Sequence, residues 1–172
     1  MRNLEFKARL DDPERALHRA EALGASLEGV LPQTDTYFKV STGRLKLRET
    51  VGQPAELVYY QRDEDGANRA SDYDLVRIEE PDSLLKILGP ALSCLAVVRK
   101  HRTLLRLDAT RIHLDNVEGL GSFIEFEVPV AEDEAAAKRR IDWLIRELGF
   151  EWSDCIRASY LDLILPAQET QT

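Results

Sequence analysis

The sequence predicts an α+β protein that combines about eight or nine mostly antiparallel strands with about three helices. Two observations carry this prediction. Charged and apolar residues alternate along several segments with the period of a β-strand, and other segments show helical spacing between a capping residue and a glycine. The links between strand segments are short, which favours antiparallel neighbours. So many strands in 172 residues favour a closed or strongly curved sheet over a flat one.

The first strand, residues 3–10, shows the alternation most clearly. One face is polar and the other is apolar: Asn3, Glu5, Lys7 and Arg9 against Leu4, Phe6, Ala8 and Leu10. Later segments repeat the pattern, with Arg44, Lys46 and Arg48 on one face, Lys100 and Arg102 on a second, and Glu125 and Glu127 on a third. Whole faces therefore sort by charge sign. A half-solvated antiparallel strand would also carry charges on its outer side, so periodicity alone does not say whether these faces point inward or outward.

Three helices are expected from capping signals. The first follows Asp12 as N-cap and ends at Gly24, and the second begins at Pro81 and is closed by Gly89-Pro90. The longest covers residues 131–148. Turns are expected at residues 41–43, 63–66 and 116–121. We expect one domain over residues 1–166, followed by a polar tail over residues 167–172.

Composition excludes several classes of function. The net charge of −8 at pH 7 argues against general binding to nucleic acid or to anionic membranes. No apolar run approaches the length of a membrane span, and residues 1–5 lack a signal-peptide core, so a cytoplasmic protein is expected. Cys94 and Cys155 have apolar neighbours and are expected to be buried free thiols. With 3 histidines and no Cys/His cluster, a zinc site is not expected.

Seven segments, in order, resemble the sequence blocks of the CYTH or triphosphate-tunnel family, which groups class IV adenylyl cyclases, thiamine triphosphatases and inorganic triphosphatases. They are residues 33–38 (Gln-Thr-Asp-Thr-Tyr-Phe), 45–48, 59–62, 100–102, 112–115, 125–127 and 160–162. The family's N-terminal Glu-x-Glu-x-Lys signature reads Asn3-x-Glu5-x-Lys7 here, so the first acid is replaced by an amide. The residues in several of these blocks most resemble those of the class IV adenylyl cyclase subgroup.

The resemblance implies a closed antiparallel barrel of about eight strands, with a polar tunnel inside and helices over its apolar outer faces. It implies substrate contacts from seven cations: Lys7, Arg44, Lys46, Arg48, Arg62, Lys100 and Arg102. Arg9 and Arg44 lie near strand ends, where simple solvation is an equal alternative. Arg106, Arg111 and Arg157 are weaker candidates.

The carboxylates are expected to bind a divalent metal. Glu5, Glu125 and Glu127 are the proposed oxygen ligands, and Asp115 is expected either to support the metal or to orient a Lys or Arg. An all-carboxylate set without Cys or clustered His suits Mg²⁺ or Mn²⁺. Together with Lys7, Lys100 and Arg102, these four acids form the expected catalytic set. His113 is a candidate general base, although a polar wall or surface position is the better expectation.

The leading functional hypothesis is a metal-dependent enzyme that converts ATP to cyclic AMP and pyrophosphate, as a class IV adenylyl cyclase does. A triphosphatase that hydrolyses inorganic triphosphate, thiamine triphosphate or a nucleoside triphosphate would use nearly the same residues. A third hypothesis is a non-catalytic module that binds polyphosphate or nucleotide, and a fourth is a structural protein with solvated sheet faces. The expected partner is a triphosphate-containing small molecule, and the apolar outer faces would permit a homodimer without requiring one.

Overall fold

A computed structural model describes residues 2–62, 70–130 and 133–169, and the side chains of residues 62, 70, 71 and 167–169 lie outside this description. Within these ranges the strands are β1 (Arg2–Arg9), β2 (Ser26–Phe38), β3 (Arg44–Thr50), β4 (Ala55–Arg62), β5 (Ala70–Ile78), β6 (Cys94–Leu107), β7 (Thr110–Val117) and β8 (Gly121–Pro129). The helices are α1 (Pro13–Ala22), α2 (Pro81–Leu92), α3 (Glu134–Leu148) and α4 (Tyr160–Glu169), and a short 3₁₀ turn covers Trp152–Asp154. The α+β class is confirmed.

The strands form a closed barrel in the order β1-β5-β4-β3-β2-β6-β7-β8, with every neighbouring pair antiparallel. β2 and β6 are the long strands, with 13 and 14 residues, and they pair along most of their length. β1 closes the barrel between β5 and β8, where Glu5 pairs with Glu127 and Lys7 with Glu125. The charged faces identified in the sequence therefore converge from non-adjacent segments of the chain.

Three apolar clusters hold the helices on the barrel. α1 and α3 cover the outer faces of β1, β6, β7 and β8, around fully buried Phe6 and Phe126, whose rings stack at 5.3 Å. α2 covers β3 and β4 through Leu84 and Leu88, which pack against a cluster around buried Leu47. These helices cover outer faces, as the family resemblance implied. Together they leave the inner side of the barrel to the charged side chains and to the third apolar cluster.

α4 lies at one end of the barrel and not on its outer face, a position that the sequence did not predict. Its residues Tyr160, Leu161 and Ile164 pack against the inward-facing Val98 and Phe123, so α4 fills one end of the barrel. The segment had been expected only as a family block near the end of the domain. Its short apolar run has little amphipathic period to identify it as a helix.

The predicted N-cap of α1, Asp12, and the predicted stop of α3, Gly149, agree with the structure, but the predicted end of α2 is wrong. α2 continues past Gly89 and includes Pro90, because a proline in the last turn loses only one hydrogen bond that the helix end can forgo. α3 begins at Glu134 with Asp133 as N-cap, three residues later than expected, and ends at Gly149 in the left-handed conformation. The predicted turn at residues 63–66 lies outside the described residues.

Neither cysteine forms a disulfide, but their expected burial is wrong: Cys94 is exposed and Cys155 is only partly buried. Cys94 lies at the first position of β6, where the strand edge is still open to solvent. Among the helices in the described part of the chain, none is both long and apolar enough to cross a bilayer.

Candidate active site

The inner faces of the strands enclose a cavity of about 430 Å³. Of the residues singled out in the sequence, the following line it: Glu5, Lys7, Lys46, Arg48, Lys100, Arg102, Glu125 and Glu127. These side chains come from β1, β3, β6 and β8, so the closure of the barrel, not any single strand, creates the site. A cavity of this size can enclose a small polyanion such as triphosphate.

A larger open depression of about 1240 Å³ lies outside the cavity, beside the turn between β3 and β4. Its charged side chains are of mixed sign, with Arg77 and Arg99 near Glu49 and Glu79. No convergent set of one sign is present among its described residues. We therefore place the candidate active site in the smaller, inner cavity.

Asp35 organises the cations on one wall of the cavity. Its carboxylate accepts two hydrogen bonds from Arg48, at 2.7 and 2.8 Å, and one from Lys46 Nζ at 3.0 Å; Lys100 Nζ lies 3.8 Å away. Burial opposes ionisation of Asp35, but these three cations hold its pKa well below the usual value. Sequence reasoning quoted Asp35 only within a family block. The signal available in the sequence was that Asp35 shares a strand face with Gln33 and Tyr37, which lie two residues before and after it.

Asp115 organises the second group of cations. Arg102 donates to both of its oxygens, at 2.7 and 2.5 Å, and Tyr160 Oη donates to Oδ2 at 2.9 Å, while Lys100 Nζ lies 3.7 Å from Oδ2. Despite burial, Arg102 and Lys100 lower the pKa of Asp115 to about 2. Of the two roles expected for Asp115, these contacts are those of a group that orients Lys and Arg. Arg102 also donates to Glu125, which acts against this lowering of the Asp115 pKa.

Burial has the opposite effect on the lysines. Desolvation, reinforced by Arg48, lowers the pKa of Lys46 to about 7, although Asp35 acts against this shift. Desolvation and Arg102 likewise lower the pKa of Lys100 to about 8. Burial of the ammonium groups is unfavourable until an anion enters. A bound polyphosphate would supply the missing negative charge, so this wall is prepared for an anion.

The opposite wall carries the acids. Glu125 accepts from Arg102 at 2.7 Å and lies 3.2 Å from Lys7 Nζ, while Glu127 pairs with Arg111 at 2.5 Å. Burial opposes ionisation of both acids. Lys7 and Arg102 nevertheless hold the pKa of Glu125 well below its usual value.

His113 lies between these two carboxylates. It is only 3% exposed, and desolvation and Arg102 lower its pKa. With Arg111, it lowers the pKa of the buried Glu127 to about 2. His113, Glu125 and Glu127 offer one ligand atom each within 4.8 Å of one another, and they could hold a metal ion. Glu5 lies beside Glu127 across the β1–β8 pair and lines the same cavity, outside this group of three.

The remaining candidates have more peripheral positions. Arg44 donates to both carboxylate oxygens of Asp162 at the start of α4, at 2.8 and 2.9 Å, and thereby fixes that helix to β3. Arg9 is exposed and donates to the Leu120 carbonyl. The backbone of Arg62 ends β4, but its side chain lies outside the described part of the structure. Arg111, which ranked low from sequence, lines the cavity.

Tyr160 and the start of α4 complete the floor of the site. The Lys7 ammonium lies 4.0 Å from the centre of the Tyr160 ring and donates to the Ala158 carbonyl at 3.1 Å, and Lys100 lies 5.0 Å from the same ring. The aromatic ring therefore positions two cations at once. The arrangement can bind a chain of phosphates on the cationic wall and hold a divalent cation on the acidic wall, which are the requirements of phosphoryl transfer.

Comparison with known proteins agrees with this geometry. A Methanocaldococcus jannaschii protein provisionally named an adenylate cyclase is 23% identical over 173 residues, covering 95% of this chain and 98% of its own. A solved structure from Pyrococcus horikoshii superposes with a TM-score of 0.82 at 26% identity, covering 94% of this chain and 98% of that one. An adenylyl cyclase-like protein from Hippeastrum, described as having a dominant triphosphatase activity, shares the fold with a TM-score of 0.63 at 18% identity, covering 96% of each chain.

Family membership follows from a match that spans nearly the whole chain. The model of the CYTH domain matches residues 1–160, a range that contains all eight strands of the described barrel and the start of α4. Enzymes of this family are adenylyl cyclase-like proteins or triphosphatases and generally depend on a divalent metal. The chain belongs to the CYTH domain family.

Proposed function

We propose that this protein is a divalent-metal-dependent enzyme that acts on the triphosphate group of a small molecule, with ATP cyclisation to cyclic AMP and pyrophosphate as its leading reaction. The observation that supports this most is the division of one cavity into two walls. Lys46, Arg48, Lys100 and Arg102 form the cationic wall, and Glu125 and Glu127 with His113 form the acidic wall. Together they match the two needs of a metal-bound polyphosphate.

The cationic wall would bind the phosphate oxygens. Arg48 and Arg102 are held by forked hydrogen bonds to Asp35 and Asp115, so their orientation is set before substrate arrives. Lys7 and Lys100 are fixed against Tyr160. Preorganised cations lose little entropy on binding, and they stabilise the charge that develops on the phosphate oxygens during the reaction.

The acidic wall fits a divalent cation. Glu125 and Glu127 are only partly exposed and lie close together, and cations hold the pKa of each below its usual value. The nearby His113 Nδ1 has no hydrogen-bond partner among the described groups. Glu5 is the third proposed carboxylate ligand. When bound, the metal would neutralise the carboxylates, so the cavity as a whole would become attractive to a polyanion. We infer that substrate and metal bind interdependently.

In the cyclase reaction the ribose 3′-hydroxyl attacks the α-phosphorus and the bond to the β-phosphate oxygen breaks, which yields cyclic AMP and pyrophosphate. In the triphosphatase reaction water attacks the terminal phosphorus and the bond to the bridging oxygen breaks, so the diphosphate leaves and the attacked phosphorus, with the water oxygen, becomes inorganic phosphate as a proton is released. The first is supported by the name of the M. jannaschii relative. The second is supported by the activity named for the Hippeastrum protein.

A substrate screen separates these reactions. ATP, inorganic triphosphate and thiamine triphosphate would each be incubated with the protein in Mg²⁺ or in Mn²⁺, and the products separated by ion-exchange chromatography. Cyclic AMP with equimolar pyrophosphate would support the cyclase, and inorganic phosphate would support the triphosphatase. A Glu125→Gln variant that retained full turnover would contradict the proposed site, and binding without any turnover would favour the non-catalytic module.

We also infer a cytoplasmic location. The supporting observation is that Cys94 and Cys155 form no disulfide, as is usual for proteins kept in a reducing compartment.

A further inference from the structure

One buried nitrogen on the acidic wall of the cavity forms no hydrogen bond among the described groups. His113 is 3% exposed, on the inner face of β7, and no described group forms a hydrogen bond with its Nδ1 atom. Buried polar atoms are nearly always paired, because an unpaired one loses its hydration without compensation. The exception at His113 therefore requires a physical reason.

The surroundings of Nδ1 indicate that reason. Glu125 Oε2 lies 3.6 Å from it and Glu127 Oε1 lies 3.7 Å from it, both too far for a hydrogen bond. Ligand atoms about 2.1 Å from an octahedral metal lie about 3 Å apart when adjacent and about 4 Å apart when opposite. The separations of 3.6 and 3.7 Å lie between these two values, and the three residues offer ligand atoms within 4.8 Å of one another. Small side-chain rotations would therefore bring all three onto one ion.

Both carboxylates keep coordinating capacity despite their cation partners. Arg111 occupies Oε2 of Glu127, which leaves Oε1 directed toward His113. Glu125 Oε2 accepts one hydrogen bond from Arg102 and retains a second lone pair. These two cations fix the orientation of the acids, as hydrogen-bonded partners commonly do around metal ligands.

We propose that His113 binds the metal directly through Nδ1, making a mixed nitrogen and oxygen site with Glu125 and Glu127 that selects Mn²⁺ over Mg²⁺. Mg²⁺ prefers oxygen ligands and gives up water reluctantly, so an imidazole adds little to its binding. Mn²⁺ shares with Mg²⁺ the preference for carboxylate oxygens, but as a first-row transition metal it gains more than Mg²⁺ does from a nitrogen ligand. This inference rests on the proposed metal-dependent function and names the metal preference of the same site.

The sequence offers a clean test because it contains 3 histidines, and His18 and His101 are both exposed. Mn²⁺ alone would be titrated into the full-length protein while the free ion is followed by electron paramagnetic resonance. Bound Mn²⁺ would then be examined by electron spin echo modulation, which detects a coordinated imidazole nitrogen. The His18→Asn/His101→Asn double variant leaves His113 as the sole histidine and is the matched control.

We expect imidazole coupling in the wild type and in the double variant, and its loss in His113→Asn, which places an amide oxygen near the former Nδ1 position. In that variant the Mn²⁺ dissociation constant should rise about tenfold, the scale at which loss of even indirect partners weakens metal sites. The Mg²⁺ dissociation constant, measured by competition, should change less. Absence of imidazole coupling in the double variant, or absence of Mn²⁺ binding, would overturn the proposal even if His113→Asn did not fold.

The outcomes also separate this inference from the proposed function. Metal-dependent turnover without imidazole coupling would leave the function standing and remove His113 from the metal. Histidine-bound Mn²⁺ without turnover on any triphosphate would do the reverse.

Discussion

Lys46 should make triphosphate binding depend on pH in a predictable direction. Its pKa in the free protein is about 7, because the side chain is buried beside Arg48. A bound polyphosphate would raise that pKa, since anions favour the ammonium form. Binding above pH 7 must therefore recruit a proton to Lys46, and affinity should fall as the pH rises. Replacing Lys46 with Arg, which stays charged throughout this range, should remove the dependence.

The size of the effect follows from the pKa. Between pH 6 and pH 8 the neutral form of a group with a pKa of about 7 changes from the minor to the dominant species. Protonating Lys46 on binding therefore reduces the binding free energy of triphosphate by about 1.4 kcal/mol over this range, which is about tenfold in affinity. Proton uptake on binding should be about half a proton at pH 7 and about nine-tenths at pH 8 from this group alone.

The assay is isothermal titration calorimetry with inorganic triphosphate at pH 6, 7 and 8, in buffers of different ionisation enthalpy. Ionisation of the ligand itself affects wild type and Lys46→Arg equally. The dissociation constant of the wild type divided by that of Lys46→Arg therefore isolates the effect of protonating Lys46. We expect that ratio to increase about tenfold from pH 6 to pH 8. A constant ratio, together with equal proton uptake by both proteins, would refute the reasoning. Thermal unfolding of each protein controls for loss of fold.

Three further predictions concern the cations, the metal and the carboxylates. Arg48→Gln should weaken triphosphate binding by about 1.5–3 kcal/mol, because a charged hydrogen bond to phosphate is lost. Arg99→Gln, on the exposed side of β6, is the control and should leave the affinity measured by calorimetry unchanged. Equal effects of the two substitutions would contradict the cavity assignment. Asn3 is buried and lines the cavity, and Asn3→Glu should lower the metal concentration needed for half-maximal turnover. Glu127→Gln should raise that concentration or abolish turnover. If the concentration were unchanged in Asn3→Glu, position 3 would lie outside the metal shell. The pKa of Asp35 is held well below its ordinary value of 3.8, so its contribution to stability should be present above that pH and lost as the pH falls below it. Asp35→Asn should therefore flatten the acid limb of a urea-unfolding pH profile, and an unaltered limb would show that Asp35 does not stabilise the fold.

The strand faces and most helix ends could be predicted from sequence because they depend on local geometry. Alternation places Lys46 and Arg48 on one face wherever the strand lies, and Gly149 ends α3 because glycine adopts the left-handed conformation without strain. Family resemblance supplied the closed barrel and the inward direction of the charges. Periodicity alone was neutral on that direction, since solvent and a polar tunnel select the same residue types.

Only the tertiary structure decided how the charges are paired. Asp35 meets Lys100, and Tyr160 reaches Asp115 across 45 residues of sequence, because barrel closure and the docking of α4 bring distant segments together. The same closure brings His113 against the acids of β8. No local pattern encodes these contacts, since each depends on strand order and register rather than on residue spacing. The sequence thus determined which side chains could share a face, and the closed barrel determined which of them meet.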